Sequence, residues 1–216
     1  AGERVWTVTP QDVAIIGELF LTGKFNATRT LALAGSEVKD AQYYNVISGA
    51  AIADLVAGKI EGDNVRVISG DVLTGTKVKM NGNLGFLSNT VTVIPEGNVY
   101  RMFGWMPFAS PSVHSASRTG LSWLMPGKKY APNTNLNGEE RALVVTGEME
   151  AVMPLDIFPM QLLKACLASD IDKMESLGIY EVAPEDFALI DYTNTSKLEA
   201  QQIIREALDL MIKEVG

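Results

Sequence analysis

Residues 150–164 read Glu-Ala-Val-Met-Pro-Leu-Asp-Ile-Phe-Pro-Met-Gln-Leu-Leu-Lys, with Pro154 and Pro159 placed close together. Proline fixes its own φ angle and biases the residue before it toward extended geometry. It is also favoured at the first position of a helix, where an N–H group would have no partner inside the helix. The stretch therefore predicts a rigid, kinked approach to a helix that begins near Pro159 and runs to about residue 168.

More helices are predicted after this stretch. Ser169 is placed to cap a helix over residues 170–177. Ser196 and Glu199 have the spacing of a capping box, which would open the last helix. Apolar residues at helical spacing predict the buried face of that helix: Ala200, Ile204, Ala207, Leu208, Met211 and Val215. We expect residues 98–216 to be a loop-rich aromatic segment followed by a mainly helical region.

The middle of the chain is typical of a small mixed domain. Alternating and β-branched segments predict strands over residues 30–33, 43–47, 65–68, 76–80 and 90–94. Ser48 is a plausible N-cap for a helix over residues 49–57, and Gly58 would end it. The order of two strands, one helix and further strands predicts a β-grasp domain over residues 29–97.

The first residues predict one strand followed by one helix. Residues 4–8 alternate in polarity as a strand would, and Thr9 can cap a helix with Pro10 at its first position. Asp12 lies in the first turn, where the helix dipole favours a carboxylate, and Gly23 is placed to end the helix. This unit, residues 1–28, is too small to be a domain.

Seven segments of the chain together resemble one protein family. They follow one another in the family's order, at residues 5–17, 21–24, 32–35, 67–70, 93–97, 137–142 and 150–164. The family is the A subunit of the sodium-translocating NADH:quinone oxidoreductase, and the proline stretch is the most specific match. Residues 194–197, Asn-Thr-Ser-Lys, depart from the phrase that many members carry before the last helix.

The resemblance implies an α+β fold in three parts. Residues 1–28 would be the tail of a Rossmann-like domain whose remainder lies upstream, and residues 29–97 a soluble-ligand-binding β-grasp (SLBB) domain. Residues 98–216 would be the helical region. We expect the chain to be the C-terminal half of the family's polypeptide, because that polypeptide is roughly twice as long. The lack of an initial methionine fits an excised piece, with Ala1 and Gly2 left by cloning.

The resemblance also implies a function. The chain would be a cofactor-free, peripheral subunit that assists quinone reduction coupled to sodium export. Flavins and iron centres would lie on other subunits, with quinone as the substrate of the complex. Its partners would be the integral membrane and flavin-bearing subunits, on the cytoplasmic side of the bacterial inner membrane. This piece alone would be inactive as an enzyme.

Composition excludes several classes of function. The net charge is -8, which argues against nucleic acid as a partner and against binding of anionic lipid through the bulk surface. No apolar run approaches the roughly 18–20 residues that span a bilayer. Cys166 is the only cysteine, so an intrachain disulfide is excluded and a reducing compartment is favoured.

No catalytic, cofactor-binding or metal-binding residue is predicted. Residues 70–77 resemble a phosphate loop, but the lysine is displaced and strand-like alternation follows, which favours a β-turn. His114 is the only histidine and is expected in a surface loop. Cys166 is expected to be a small buried apolar residue. Residues 184–186, Pro-Glu-Asp, are expected to begin a short helix.

Residues 103–130 interleave large aromatic side chains with prolines. Aromatic anchors dominate protein–protein interfaces, and proline lowers the entropy cost of presenting them. We therefore expect a partner-docking surface that includes Phe103, Trp105 and Arg118. Two other interpretations stay open for these residues: the rings could pack between the β-grasp domain and the helical region, and Arg118 could anchor its loop against carboxylates.

Two alternative functions stay open. The first is a component like the C subunit of an Rnf-type electron-transport complex, which has a related layout. The single Cys166 cannot supply the two four-cysteine clusters of that protein. The second alternative is a free-standing β-grasp ligand-binding module.

Overall fold

The computed structural model describes residues 5–104, 106 and 113–215. The chain divides into two compact units, Ala1–Pro95 and Glu96–Gly216. Each unit has its own buried core, built from residues of that unit alone.

The first unit opens with helix α1 (Pro10–Thr22), as predicted. Thr9 caps it by accepting a hydrogen bond from the Asp12 backbone N–H, and Gly23 ends it in the left-handed conformation. The strand predicted over residues 4–8 is wrong for residues 5–8, which have no regular structure. A β-strand needs a neighbouring strand for its backbone hydrogen bonds, and none of the described strands pairs with residues 5–8.

The apolar face of α1 is not buried, although its spacing is that of a core-facing helix. No side chain of the helix is buried. Phe20 is 86% exposed, and Trp6 just before the helix is 91% exposed. The side chains expected on one face of the helix, including Val13 and Ile16, are also exposed.

Five strands form one mixed sheet. They are β1 (Thr28–Ala34), β2 (Gln42–Ile47), β3 (Val65–Ser69), β4 (Thr76–Val78) and β5 (Thr90–Pro95). Their order across the sheet is β2-β1-β5-β3-β4. The central pair, β1 and β5, is parallel, and every other pair is antiparallel. Each of the five strands predicted in the middle of the chain is therefore formed.

The core of this unit lies between the sheet and the short helix α2 (Ile52–Val56). Leu31 and Leu33 alternate with exposed or half-buried residues along β1, which gives that strand one buried face. From α2, Ile52, Leu55 and Val56 are buried against them, as their spacing predicts.

Ser48 does not cap α2, contrary to the prediction. The helix begins only at Ile52, after Ala51, which makes no side-chain cap. The Ile52 backbone N–H instead donates to the Gly82 carbonyl at 3.0 Å. The Ser48 hydroxyl accepts from Arg29 Nε at 2.9 Å, so it has a different partner in β1.

The segment that resembles a phosphate loop contains a turn at residues 72–74 and then enters strand β4. The Asp71 carboxylate accepts from the backbone N–H groups of Leu73, at 2.7 Å, and Thr74, at 2.9 Å. Strand β4 follows directly, as the alternation predicted. Two backbone N–H groups in the middle of this segment, those of Leu73 and Thr74, are therefore already bonded to Asp71 and are not offered to a phosphate.

The second unit is mainly helical from residue 159 onward. Its α-helices are α3 (Pro159–Leu167), α4 (Ile171–Ser176), α5 (Ala188–Thr193) and α6 (Ala200–Glu214). Three short 3₁₀ helices accompany them, at Leu121–Leu124, Ile179–Glu181 and Pro184–Phe187. Pro159 is the first residue of α3 and is itself buried, so the proline stretch forms the predicted helix entry.

The core of this unit is formed where α3 and α6 face each other. Its buried members include Leu162 and Leu163 of α3, and Ile204 and Met211 of α6, with Phe187 between these elements in the sequence. The predicted apolar face of α6 is buried at Ala200, Ile204, Ala207 and Met211, but Val215 at its end is exposed.

Two predicted caps in this unit are wrong. The residue that caps α4 is Asp170, whose carboxylate accepts from the Lys173 N–H at 3.2 Å; Ser169, the expected cap, has φ 53°. Helix α6 begins at Ala200, and its first N–H groups donate to the Asp191 carboxylate. Ser196 Oγ donates instead to the Ala142 carbonyl at 3.1 Å.

Candidate functional site

The predicted docking residues lie in a part of the second unit with little regular structure. Phe103 is half exposed and Arg118 is exposed. Trp105 lies outside the described residues. The structure therefore places two of the three at the surface, where a partner could reach them.

The backbone that carries Phe103 is held by its neighbours. The Phe103 N–H donates to Glu139 Oε1 at 3.0 Å, and its φ angle is 53°. Gly104, which follows, is buried, and a Cβ atom there would collide with the Asn137 carbonyl oxygen. Only glycine allows this close approach, so the loop is fixed at Gly104 while the Phe103 ring stays exposed.

Arg118 lies in a compact loop, residues 115–122, tied together by two serines. The Ser115 N–H donates to Ser122 Oγ at 2.8 Å, and the Gly120 N–H donates to Ser115 Oγ at 2.9 Å. Arg118 has φ 61°. These bonds close the loop without the Arg118 side chain, which is presented at the surface.

Sequence reasoning did not predict a second polar cluster, which is centred on Arg141. Its guanidinium donates from Nη2 to the Thr195 carbonyl at 2.5 Å, and its backbone N–H donates to the Ser196 carbonyl at 2.8 Å. The Glu148 carboxylate accepts from the Thr195 N–H at 2.5 Å and from the Thr195 hydroxyl at 3.1 Å. The loop after residue 140 and the segment before α6 are thereby joined.

Two surface cavities border this cluster. One, of about 440 Å³, is lined by Arg141, Ala142, Leu143, Lys164, Leu167, Ala168 and Leu198. The other, of about 320 Å³, includes Glu148, Thr195 and Ser196 in its lining. Nearby, burial and then the positive charge of Arg141 lower the pKa of Lys197, while Glu148 opposes that shift. The bonds given above join Arg141 and Glu148 to backbone and hydroxyl groups of the segment before α6, so they hold the two segments together.

His114 is in a surface loop, as predicted, and it contacts two tyrosines. Its ring stacks on Tyr192 with centroids 5.8 Å apart and lies 5.3 Å from Tyr130. The Tyr192 hydroxyl and His114 Nδ1 are 3.3 Å apart. Burial, and then Tyr130, raise the pKa of Tyr192. The described contacts of His114 are thus with two aromatic rings and one phenol hydroxyl, which is an arrangement typical of packing.

Cys166 is buried among the leucines of α3, as predicted, and burial raises the pKa of its thiol to about 11. Within residues 5–104, 106 and 113–215, no three His, Cys, Asp or Glu side chains come together as a metal site would require. In that same part of the chain, no helix combines the length and the apolarity needed to cross a bilayer.

Comparison with known proteins first identifies the class of domain. Residues 30–80 match the family model of the NQRA C-terminal domain. The match begins in β1 and ends just after β4, so it lies entirely in the sheet unit.

Particular relatives extend the similarity to the whole chain. The chain is 38% identical over 215 residues to the A subunit of the Na(+)-translocating NADH-quinone reductase of Neisseria meningitidis serogroup B, covering 99% of this chain and 48% of the relative. It is 40% identical over 213 residues to the same subunit of Serratia proteamaculans, covering 98% of this chain and 47% of the relative. The chain thus spans about half the length of the curated relatives it matches, and the resemblance predicted from its motifs is confirmed.

Proposed function

We propose that this chain is part of the A subunit of a sodium-translocating NADH:quinone oxidoreductase. In that complex it would assist quinone reduction coupled to sodium export. The observation that carries the proposal is the 38% identity to such a protein over 99% of the chain. A match confined to residues 30–80 would have indicated a shared domain only, whereas this similarity includes the loops and helices of the second unit as well.

The chain itself holds no cofactor in this proposal, and the flavins and iron centres lie on other subunits. Two features support it. The described residues contain no cluster of metal-ligating side chains, and the only cysteine is buried with a raised pKa. The purified chain is expected to be colourless and unable to oxidise NADH. A flavin or iron–sulfur absorbance in the purified chain would contradict this part of the proposal.

The sheet unit is proposed to be a β-grasp domain of the soluble-ligand-binding type. The order β2-β1-β5-β3-β4, with the parallel pair in the centre and α2 packed on the core, supports it. Residues 1–28 are proposed to be the tail of a Rossmann-like domain. The exposed apolar face of α1 supports this, because a helix with such a face normally packs against further protein.

Phe103, Trp105 and Arg118 are proposed to dock the chain on integral membrane and flavin-bearing subunits of the complex. Support comes from the half-exposed Phe103 ring on a fixed backbone and from the exposed Arg118. Aromatic and arginine side chains are the most frequent anchors of protein interfaces. The site of docking would be the cytoplasmic side of the bacterial inner membrane.

Assembly of variant proteins with their partners tests the docking residues. Phe103→Ala and Arg118→Ala, placed in the complete polypeptide, are expected to weaken co-purification with the other subunits. Tyr180→Ala and Lys213→Ala remove comparable exposed side chains from the helical part of the same unit and serve as matched controls. If the docking variants lose thermal stability but assemble normally at low temperature, these residues pack the protein internally and the docking assignment is wrong.

The alternatives are less well supported. An Rnf-type component would need ligands for two four-cysteine clusters, and the chain has one cysteine. A free-standing β-grasp module would account for residues 30–80 but not for the similarity of the helical unit.

A further inference from the structure

Charge is distributed very unevenly along the chain. Residues 97–138 contain no Asp or Glu but include Arg101, Arg118, Lys128 and Lys129. This acid-free segment therefore carries a charge of +4 within a chain of net charge -8, which leaves -12 for all the other residues. An anionic surface would repel most of this molecule and attract this segment.

The same segment exposes a row of large apolar side chains at its 3₁₀ helix, Leu121–Leu124. Trp123 is 50% exposed and Leu124 is 57% exposed, and both Leu121 and Met125 beside them are also exposed. Lys128 and Lys129 follow after one further turn, and both are exposed. Apolar and basic groups are therefore side by side at the surface.

The exposure of this row results from a defined turn. Ser122 is buried, and its hydroxyl accepts from the Ser115 N–H at 2.8 Å. The Met125 N–H donates to the Ser122 carbonyl at 3.0 Å, and the Lys128 N–H donates to the Met125 carbonyl at 3.0 Å. Because the polar Ser122 is directed inward, its apolar neighbours are held outward.

We propose that the Leu121–Lys129 turn binds the surface of an anionic phospholipid membrane. Tryptophan and leucine side chains enter the boundary between headgroups and acyl chains, and lysines beside them pair with lipid phosphates. The two lysines have long apolar stems that let the ammonium groups stay in the headgroup layer. The contact is peripheral, and it is made by the cationic part of an otherwise acidic chain.

A lipid surface matches these observations better than a protein groove does. The exposed groups lie on one short turn and join a cationic segment, so they need a partner that is both anionic over a wide area and apolar just beneath. A membrane of anionic lipid has both properties at every point. This inference does not depend on the proposed function, because binding to pure lipid requires no other protein.

Vesicle flotation with the purified chain tests the proposal. The chain is expected to float with vesicles of phosphatidylglycerol mixed with phosphatidylcholine. With vesicles of phosphatidylcholine alone, it is expected to remain in the bottom fraction of the gradient. Added salt should weaken flotation, because it screens the charges of lysine and lipid. In a Trp6→Phe, Trp105→Phe background, brominated lipids should quench the fluorescence of Trp123.

Variants with matched controls localise the contact. Leu124→Glu should lower the fraction that floats at least tenfold, and Leu189→Glu, at an exposed leucine of α5, should not change it. Lys128→Ala with Lys129→Ala should weaken binding about fivefold for each lysine. The control with the same charge change is Arg205→Ala with Lys213→Ala, at two exposed positions of α6.

Three results would overturn the proposal. They are no flotation of the unaltered chain at low salt, equal flotation with the neutral vesicles, and undiminished flotation of Leu124→Glu. A different result would assign this turn to a protein partner instead. In that case the unaltered chain does not float, and Leu124→Glu no longer assembles with the partner proteins. That outcome would leave the proposed function standing, so the two failures can be told apart.

Discussion

The Arg29 guanidinium donates to the Asp12 carboxylate and so joins β1 to the first turn of α1. Arg29 is buried, and its other nitrogens are also bonded, Nε to Ser48 Oγ at 2.9 Å and Nη1 to Asn89 Oδ1 at 3.1 Å. The Gln11 side chain accepts from the Thr30 N–H at 2.6 Å. Polar groups at the N-terminal end of α1 thus fix the helix on the sheet while its apolar face stays exposed.

Removing Arg29 should destabilise the sheet unit. In Arg29→Ala, Asp12, Ser48 and Asn89 would lose their shared donor, and losing hydrogen bonds from a buried charged donor costs roughly 1.5–3 kcal/mol. Arg29→Lys should recover only part of the lost stability, since one ammonium group cannot reproduce the several N–H donors of a planar guanidinium. Denaturant unfolding measures the stability of both variants. The control is Lys24→Ala, which removes an exposed cation from the same unit. A midpoint for Arg29→Ala equal to that of the control would show that the network contributes no stability.

Asp12 should contribute to stability in a pH-dependent way. The hydrogen bond from the Thr9 hydroxyl, and then the bond and charge of Arg29, lower the pKa of Asp12 below its usual value of 3.8. A carboxyl group whose folded-state pKa is lowered stabilises the fold above its unfolded-state pKa, and that contribution is lost as the pH falls. The protection factors of the β1 amides, which are corrected for the intrinsic pH dependence of exchange, should therefore fall below about pH 4. In Asp12→Asn, the β1 amides should be less protected from exchange at pH 7, and their protection should fall less on acidification. If the variant and the unaltered chain lose protection equally in acid, Asp12 is not the group that titrates.

Local sequence signals predicted most of the elements. Pro159, the cap at Thr9 and the alternation along β1 each depend on residues close in sequence, and all three predictions are confirmed. The caps of α2 and α6 were predicted wrongly because distant groups replace the local ones. The Asp191 carboxylate, nine residues before Ala200, accepts from the first N–H group of α6. The Ser48 hydroxyl accepts from Arg29 of β1 and so does not cap α2.

The Arg141 cluster could not be predicted from the sequence for the same reason. Arg141 and Thr195 lie 54 positions apart, and no local pattern connects them. The only signal was indirect: Arg141 lies in one of the segments that resemble the family, and residues 194–197 depart from the family pattern. By contrast, the exposure of Phe103 and Arg118 agrees with the docking surface expected from the aromatic residues interleaved with prolines, and docking itself stays a prediction.

A charge placed at Leu55 should unfold the sheet unit. Leu55 is buried in α2 against the strands, and burying a carboxylate there costs several kcal/mol unless it takes up a proton. Leu55→Asp should therefore abolish hydrogen-exchange protection in β1 and β5. Ala53→Asp, at an exposed position of the same helix, should leave that protection intact. Unchanged protection in Leu55→Asp would mean that α2 does not close this core.

Cys166 should be unreactive in the folded chain. Burial raises the pKa of its thiol to about 11, so at pH 8 the thiolate fraction is very small and the sulfur is shielded. A chromogenic disulfide reagent is expected to label the chain slowly in buffer and rapidly in concentrated urea. Fast labelling of the folded chain would contradict the burial of α3.

Replacement of the matching half of a relative tests the central claim most directly. A chimera would join the unmatched half of the Neisseria meningitidis relative to this chain and would be expressed with the other subunits of that complex. We expect the chimera to assemble and to restore sodium-dependent NADH:quinone reductase activity, and we expect the unmatched half alone not to restore it. A chimera that folds stably but neither assembles with the other subunits nor restores activity would contradict it.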